Sequence, residues 1–544
     1  MNASRIMMFL LLAATVCSSA RAADKLAPGC KEWKDTDFVH PPLKVFEPYK
    51  RFDEYPIVAW CFHGEGGSKP VKPGAKPRPT PAPYDESYAV NAKAAGFNVL
   101  IDSASMLEPC RKVGGIKVVV PAFHHAPDRL KAGIFDRHGD HPCLVGIVTD
   151  DNNPRIYPNV IENAKWITEN YPHIMPWDSE NPDPRTQSKT TMRVVGTQNY
   201  AFLRGAKGDK ATSGYCNGCN FDRAFGNANN MSMWELFGGN VATNQIRFQM
   251  MAALAYGAQG LVNFAYTPHR DTPYRGKMYQ PDSPLIPQFK AMHDYIRLVA
   301  GRHLWGCRSF GVLHSVHGGA HRDATVYDES QLVVRAAEFS LVGLLSPEKE
   351  FFAQSKQADY VPEYFLFVDK RTSGHDTPAL RDAYVMLAAR ISAVEVLDEQ
   401  AVKGAAIRKI APAFKVRFKT EGGQGLLLRV APDMDELLGG PEGMAIYKQI
   451  NATLASLQWQ ATAPAAKGQP KPEAELTYKP VDARTIDQAV AAAKAKTADL
   501  AKLLDAAAAA GKISKAQADD TLNRLNDAID ATSVEAKDPK PSAS

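Results

Sequence analysis

The stretch His141–Pro154, HPCLVGIVTDDNNP, decides the fold. Its centre, CLVGIV, is apolar at every position and stops abruptly in the carboxylates and amides of TDDNN. A strand with one wet face alternates apolar and polar residues, whereas a strand apolar throughout is buried on both faces, as in a parallel sheet covered by helices. Runs of the same kind lie on either side. YPIVAWCFHG (Tyr55–Gly64), FNVLIDS and GIKVVVPAFHH precede it, and HIMPWD, MRVVGTQNY, MSMWELF and GLVNFAYTP follow. Helical patterns separate many of them: YDESYAVNAKAAG closing at Gly96, the short APDRLKAGIFDRHG, a segment from about Pro158 to Asn170, and QIRFQMMAALAYGAQ. The alternation predicts an α/β fold, a (β/α)8 TIM barrel over residues 45–320. Within it, Glu65–Pro83, dense in Pro, Gly and Lys, reads as a surface loop.

The character changes from about Asp323. QLVVRAAEF, YFLFVDK, AYVMLAARI and GLLLRVAP are strands joined by turns without intervening helices, which predicts an antiparallel β-sandwich over 323–460. Residues 461–482, rich in Ala, Pro, Lys and Gln, read as a linker. A C-terminal α-helical hairpin is expected over 483–532, broken at Gly511, with Thr485/Gln488 and Ser514/Gln517 at capping-box spacing. Residues 533–544 read as a disordered tail.

At the other end, Arg5, the apolar run IMMFLLLAATV and the small-residue site Ala20-Arg21-Ala22 form the pattern of a signal peptide over 1–22, so a secreted or periplasmic protein is expected. No later segment approaches the ~20 apolar residues of a membrane span. A net charge of +5 over 544 residues, with no long Lys/Arg run, argues against a nucleic-acid partner. Of the eight cysteines, Cys17 would leave with the signal, and 8 − 1 = 7 leaves at least one thiol unpaired in an isolated chain. CNGC, Cys216–Cys219, sits in a Gly- and Asn-rich passage expected to be a loop. A local disulfide or free thiols are favoured over zinc, which needs two more ligands at a recognisable spacing.

Barrel chemistry is carried at the C-terminal ends of the strands, where the loops converge on one mouth. Those ends supply His63, Asp102, His124, Asp150, Asn152, Trp177, Asp178, Asn199, Tyr200 and Tyr266 as candidate substrate-binding residues. Carboxylates, amides and aromatics together suit a sugar, since aromatic faces stack on pyranose rings while acids and amides bond hydroxyls. The His63, His124 and His125 set invites a metal reading. Adjacent histidines on a strand point to opposite faces, however, so only one of His124 and His125 enters the mouth, and no HExxH occurs. No metal and no cofactor is expected: GxSxG, GxxxxGK[ST] and a strand-linked GxGxxG are all missing from the sequence.

Three passages carry a family resemblance. HPCLVGIVTDDNNP resembles the fourth strand of the secreted glycoside hydrolase barrels related to β-galactosidases and agarases. QIRFQMMAALAYGAQGLVNFAYTP is similar to their last helix and eighth strand, and RHLWGCRSFGVLHS to the helix that leaves the barrel for a β-sandwich. The resemblance covers roughly residues 50–320 and implies a glycoside hydrolase acting on an oligo- or polysaccharide through paired carboxylates. Those barrels carry a Glu general acid/base at the end of strand four, where this chain reads Asp150-Asp151-Asn152-Asn153. An amide does not exchange a proton near neutral pH, so Asp151 is the substitute candidate. Glu235, where such barrels carry the nucleophile, is the second candidate; it either faces the mouth, faces the helix layer or pairs with Arg247, with Asp178 and Asp102 next in line. The missing Glu also admits a non-catalytic carbohydrate-binding protein on a degenerate hydrolase barrel, and a polysaccharide lyase is a third reading.

Overall fold

Eight short buried strands pair in sequence order: β1 (Ile57–Trp60), β2 (Val99–Ile101), β3 (Lys117–Pro121), β4 (Leu144–Asp150), β5 (Met175–Asp178), β6 (Val194–Asn199), β7 (Ser232–Gly238) and β8 (Gly260–Phe264). All run parallel, and β8 returns to β1 with Val58 level with Val262, which closes the sheet into a barrel. The computed structural model describes residues 51–60, 86–122, 125–150, 157–178, 194–202, 209–229, 232–238, 242–264, 285–314, 325–326, 332–337, 339–354, 361–372, 380–387, 393–397, 407–410, 415–430, 438–457, 461–462, 477–478 and 481–537. The signal segment lies outside them. Among the described residues no helix is long and apolar enough to cross a membrane.

The strands read as unbroken apolar runs because both faces are covered. Ile57, Leu100, Val118, Ile147 and Leu261 point outward into the helix layer, and Val58, Ile101, Val119, Val148 and Val262 fill the lumen. The helices described around the barrel include α1 (Glu86–Ala94), α2 (Leu107–Val113), α3 (Tyr157–Asn170), α4 (Asp209–Asn229), α5 (Thr243–Ala255) and α6 (Leu285–Tyr295). Helix α4 contains the CNGC passage, which is therefore not a loop. Its Gly and Asn residues disfavour a helix intrinsically, but Tyr215, Cys216 and Cys219 are fully buried on one face, and that packing overrides propensity.

Strand β9 (Cys307–His314) already belongs to the second unit, although the sequence assigned this passage to the barrel's exit helix. With β10 (Thr325–Val326), β12 (Ser340–Pro347), β13 (Tyr364–Asp369), β15 (Ala393–Leu397), β16 (Ile407–Ile410) and β18 (Gly425–Val430) it forms a seven-stranded sheet. A three-stranded antiparallel sheet contains β11 (Val333–Ala336), β14 (Arg381–Leu387) and β17 (Lys415–Thr420). Phe365 and Phe367 of β13 pack into a core shared with Val385 and Val416 of the smaller sheet, while Leu366 and Val368 join the barrel's helix-layer core. The larger sheet therefore has both faces covered. Helix α5, lodged between barrel and sheet, is apolar nearly all round for that reason. One helix, α7 (Glu348–Gln354), does interrupt the strands, contrary to the sequence expectation.

The C-terminal hairpin of α9 (Ala483–Ala509) and α10 (Lys515–Lys537) turns at Gly511, whose φ of 70° suits glycine. It is not alone. Helix α8 (Pro441–Ala455) packs against it, and Tyr447, Ile450 and Leu454 share a core with Leu500, Leu504 and Ile529, making a three-helix unit. The N-cap of α9 is Asp482, whose carboxylate accepts from the Thr485 backbone N–H at 2.9 Å, rather than Thr485 itself. Helix α10 continues to Lys537, five residues into the span read as a disordered tail.

One buried group on α6 sets an acid limit. His293 lies against Phe97 and Phe289, and its Nδ1 is 2.8 Å from the Ala95 carbonyl. Burial lowers its pKa to about 3, so the folded protein holds it neutral. The unfolded chain binds that proton near pH 6.5, so stability falls as pH drops from about 6.5 towards about 3, by up to ~1.4 kcal/mol per pH unit. Urea unfolding at pH 7 and pH 5 should show a smaller acid loss in His293→Leu than in the parent. Equal losses would discount His293 as a source of acid sensitivity.

Candidate active site

The barrel lumen is unusual in holding three indoles. Trp60 of β1, Trp177 of β5 and Trp234 of β7 are at most 1% exposed. Trp177 touches both others, with ring centroids 5.7 Å from Trp60 and 5.6 Å from Trp234. Phe52 extends the series beyond Trp234 at 5.8 Å, and Phe264 extends it beyond Trp60 at 5.9 Å. Tyr200, immediately after β6, meets Phe264 at 5.3 Å. Tyr200 and Phe264 are half-buried, so the chain of rings surfaces there, at the C-terminal ends of the strands. Trp177 was expected to line the mouth and is instead sealed within the lumen.

Two acids end neighbouring strands. Asp150 ends β4 and Asp178 ends β5, and the two are level across the parallel pair. A register irregularity between Val148 and Asp150 brings them into line, and the Thr149 hydroxyl donates to the Trp177 carbonyl at 3.1 Å across the same strands. Asp178 is buried, and alternation after the lumen-facing Met175 and Trp177 turns it towards the helix layer, so it was expected at the mouth and does not face it. His63, His124, Asp151, Asn152 and Tyr266 lie outside the described residues, and so does the side chain of Asp150.

Three further expected site residues turn away from the mouth. Trp234 and Leu236 belong to the lumen core and Phe237 to the helix layer, so alternation along β7 sends Glu235 outward. Glu235 is fully buried there and accepts from the Cys219 thiol of α4 at 3.5 Å. It does not supply a mouth carboxylate, and the pairing of Asp151 with Glu235 across the mouth is corrected accordingly. Asn199 also faces α4, where its Nδ2 donates to the Tyr215 carbonyl at 2.6 Å. Asp102 follows β2, and its carboxylate accepts from the Ser103 backbone N–H at 2.7 Å; its charge helps burial raise the pKa of the Cys110 thiol on α2.

Two residues that sequence reasoning passed over belong to the mouth. Phe264 was missed because strand eight was read on to Tyr266. Gln198 is level with lumen-facing Leu236 on the neighbouring strand, so alternation points it inward beside Tyr200. The strand parity of β6, counted from Val194, would have found it.

Among the described residues no group of three or more His, Cys, Asp or Glu is arranged to hold a metal. Cys110, Cys143, Cys216, Cys219 and Cys307 are buried free thiols. Burial pushes Cys216 up to about 12, and burial reinforced by the Glu235 carboxylate pushes Cys219 well above the ordinary thiol range. With so little thiolate and no exposure, both should resist iodoacetamide in the native protein and label fully in denaturant. Peptide mapping after alkylation checks this, and native labelling of either would contradict the packing of α4.

Fold and site together define a closed β/α-barrel protein with an aromatic lumen that surfaces at Tyr200 and Phe264. No protein-family model matches the chain, and no curated protein matches its sequence. Solved structures similar to it include the catalytic domain of a chitinase from Pyrococcus furiosus, at 9% identity over 44% of this chain and 96% of that one, with a TM-score of 0.30. An endo-beta-1,4-mannanase from Thermotoga petrophila is 9% identical over 70% of this chain and 93% of its own, with a TM-score of 0.31. An alpha-amylase from Lactobacillus plantarum is 9% identical over 64% and 96%, with a TM-score of 0.34. Likenesses of this size assign neither activity nor substrate.

Proposed function

We propose that the protein is an exported carbohydrate-active enzyme that hydrolyses an oligo- or polysaccharide at the barrel mouth. One observation carries the reading: the strand ends of a closed barrel meet at an aromatic mouth, where Tyr200 lies against Phe264, and β4 stops in Asp150 followed by Asp151. Glycoside hydrolysis needs two carboxyls ~5 Å apart for retention or ~6.5–9.5 Å for inversion. Asp151, one residue beyond Asp150, is the candidate acid/base, and its partner is neither Glu235 nor Asp178, since alternation turns both towards the helix layer. One carboxyl donates its proton to the glycosidic oxygen, while the other stabilises or attacks the developing oxocarbenium carbon.

A second reading has its own support. The strand-four end offers Asn152-Asn153 where a Glu would be expected, and Glu235 is buried against Cys219, which favours a binding protein on a hydrolase-like barrel. One experiment separates the two. The protein is incubated with chitin, mannan, starch, agarose and a uronate polymer, and both released reducing ends and retention on the insoluble polymers are measured. Release from at least one supports hydrolysis, retention without release supports binding alone, and neither removes the carbohydrate reading. An N-terminus at or next to Ala23 in protein recovered outside the cytoplasm would support export.

A further inference from the structure

We infer that Cys110 and Cys143 are a redox pair that closes into a disulfide by exchange with an external disulfide, tying α2 to the start of β4. The inference stands apart from the carbohydrate reading above. It assigns a covalent modification site at the end of the barrel opposite the mouth, since Cys143 comes one residue before β4 begins.

Residues 141–143 are held against both α2 and β3. His141 Nε2 lies 3.1 Å from Glu108 Oε1, and Arg111 Nε donates to Glu108 Oε2 at 2.8 Å. Lys117 of β3 donates to the Pro142 carbonyl at 3.4 Å. Cys143 itself is fixed on both sides: its N–H donates to His141 Nδ1 at 3.1 Å, and its carbonyl accepts from the Val118 N–H at 2.7 Å. So placed, it packs into the helix-layer core that also takes Cys110 of α2. The two thiols are near enough that a charge on Cys143 opposes one on Cys110 more than any other charged neighbour does.

Their surroundings give the exchange an order. Cys143 is 7% exposed and Cys110 not at all. Lys117 and Arg111 favour a thiolate at Cys143, with Glu108 against them, whereas Asp102 and Cys143 both add to burial in disfavouring one at Cys110. Cys143 is therefore the attacking group. Its thiolate attacks one sulfur of the external disulfide RS–SR, forms a mixed disulfide and expels RS⁻. The Cys110 sulfur then attacks the Cys143 sulfur, and the second RS⁻ leaves with the Cys110 proton. Two protein thiols are oxidised and one external disulfide is reduced to two thiols. The new bond closes a loop through β3 and the helical turns of 127–138, which restricts the unfolded chain. Cys216 and Cys219 have no such entry, because both are fully buried within α4.

The test uses the full-length mature protein, reduced and then held in its native state with oxidised glutathione. After acid quenching, remaining thiols are blocked in denaturant and the non-reduced digest is mapped by mass spectrometry. The expected product is a peptide pair joined through Cys110 and Cys143, with Cys216 and Cys219 blocked as thiols. Calorimetry should show a thermal midpoint roughly 5 °C above that of the reduced protein, a shift that dithiothreitol reverses. Cys110→Ser should lose the shift and hold glutathione at Cys143, whereas Cys143→Ser should lose the shift and hold little at Cys110, which reads the order of attack. Midpoints of the reduced variants matching the reduced parent establish that they are folded, and the parent's peptide map stands as the test if either unfolds. A 110–143 peptide that is missing from the native digest, forms only after denaturation, or forms without a rise in midpoint overturns the pair, as does pairing of either cysteine with Cys30 or Cys61.

Discussion

Asp151→Asn should reduce hydrolytic turnover by about 10²–10⁴-fold on whichever polysaccharide the parent cleaves, and Glu235→Gln should leave turnover at the parental level. The contrast follows from where the two acids stand in the chain. Asp151 follows the last residue of β4, whereas Glu235 lies in mid-strand, fully buried and bonded to Cys219 behind the barrel wall. An amide at 151 keeps the shape of the side chain but neither attacks carbon nor exchanges a proton. The change at Glu235 should register instead as a loss of about 1 kcal/mol of stability, because the amide meets the thiol less well than the carboxyl does. Initial-rate kinetics with calorimetry on the same preparations checks both halves. A dead Glu235→Gln with an active Asp151→Asn would return the catalytic carboxylate to β7 and sink the role given to Asp151.

The largest stability effect is expected where barrel and sandwich join. Arg308, at the start of β9, reaches Glu348 of α7 through Nε at 3.1 Å and a second guanidinium nitrogen at 2.6 Å, and a third nitrogen reaches the Gly226 carbonyl of α4 at 3.3 Å. The two side chains are 5% and 2% exposed. Removing one partner strands the other's charge where water cannot solvate it, so Glu348→Ala should cost about 3–5 kcal/mol and lower the thermal midpoint on the order of 10 °C. Replacing both, Arg308→Met with Glu348→Leu, should cost less than the single change, because no charge is left unpaired. Scanning calorimetry on the three variants decides it; a double variant worse than Glu348→Ala would mean that the contact with Gly226, rather than the ion pair, holds the junction.

Much of the architecture was legible in the chain. The runs at β1 to β8, the helical passage that became α5 and the break at Gly511 all follow from apolar continuity, helical spacing and glycine. The orientation of Glu235 was not legible, because a barrel strand buried on both faces carries no polar alternation to mark which side is which. MSMWELF reads the same whichever way Glu235 points. The CNGC passage misled for a related reason: its local residues favour a loop, and only burial against β7 and α5 makes it helical. Helix α8 looked like part of the sandwich because its partners, α9 and α10, begin nearly thirty residues later.

The sequence by itself determined that this protein alternates buried strands with helices, changes character near residue 323, and gathers acids and aromatics at the strand ends. Those properties are local, since hydrophobic continuity and turn chemistry act over a few residues. Only the tertiary structure decided that Glu235 and Asn199 serve the helix layer, that Trp177 plugs the lumen, and that Tyr200 meets Phe264 across Gly238. Each of these depends on register between strands distant in sequence, and a shift of one residue would exchange lumen for helix layer.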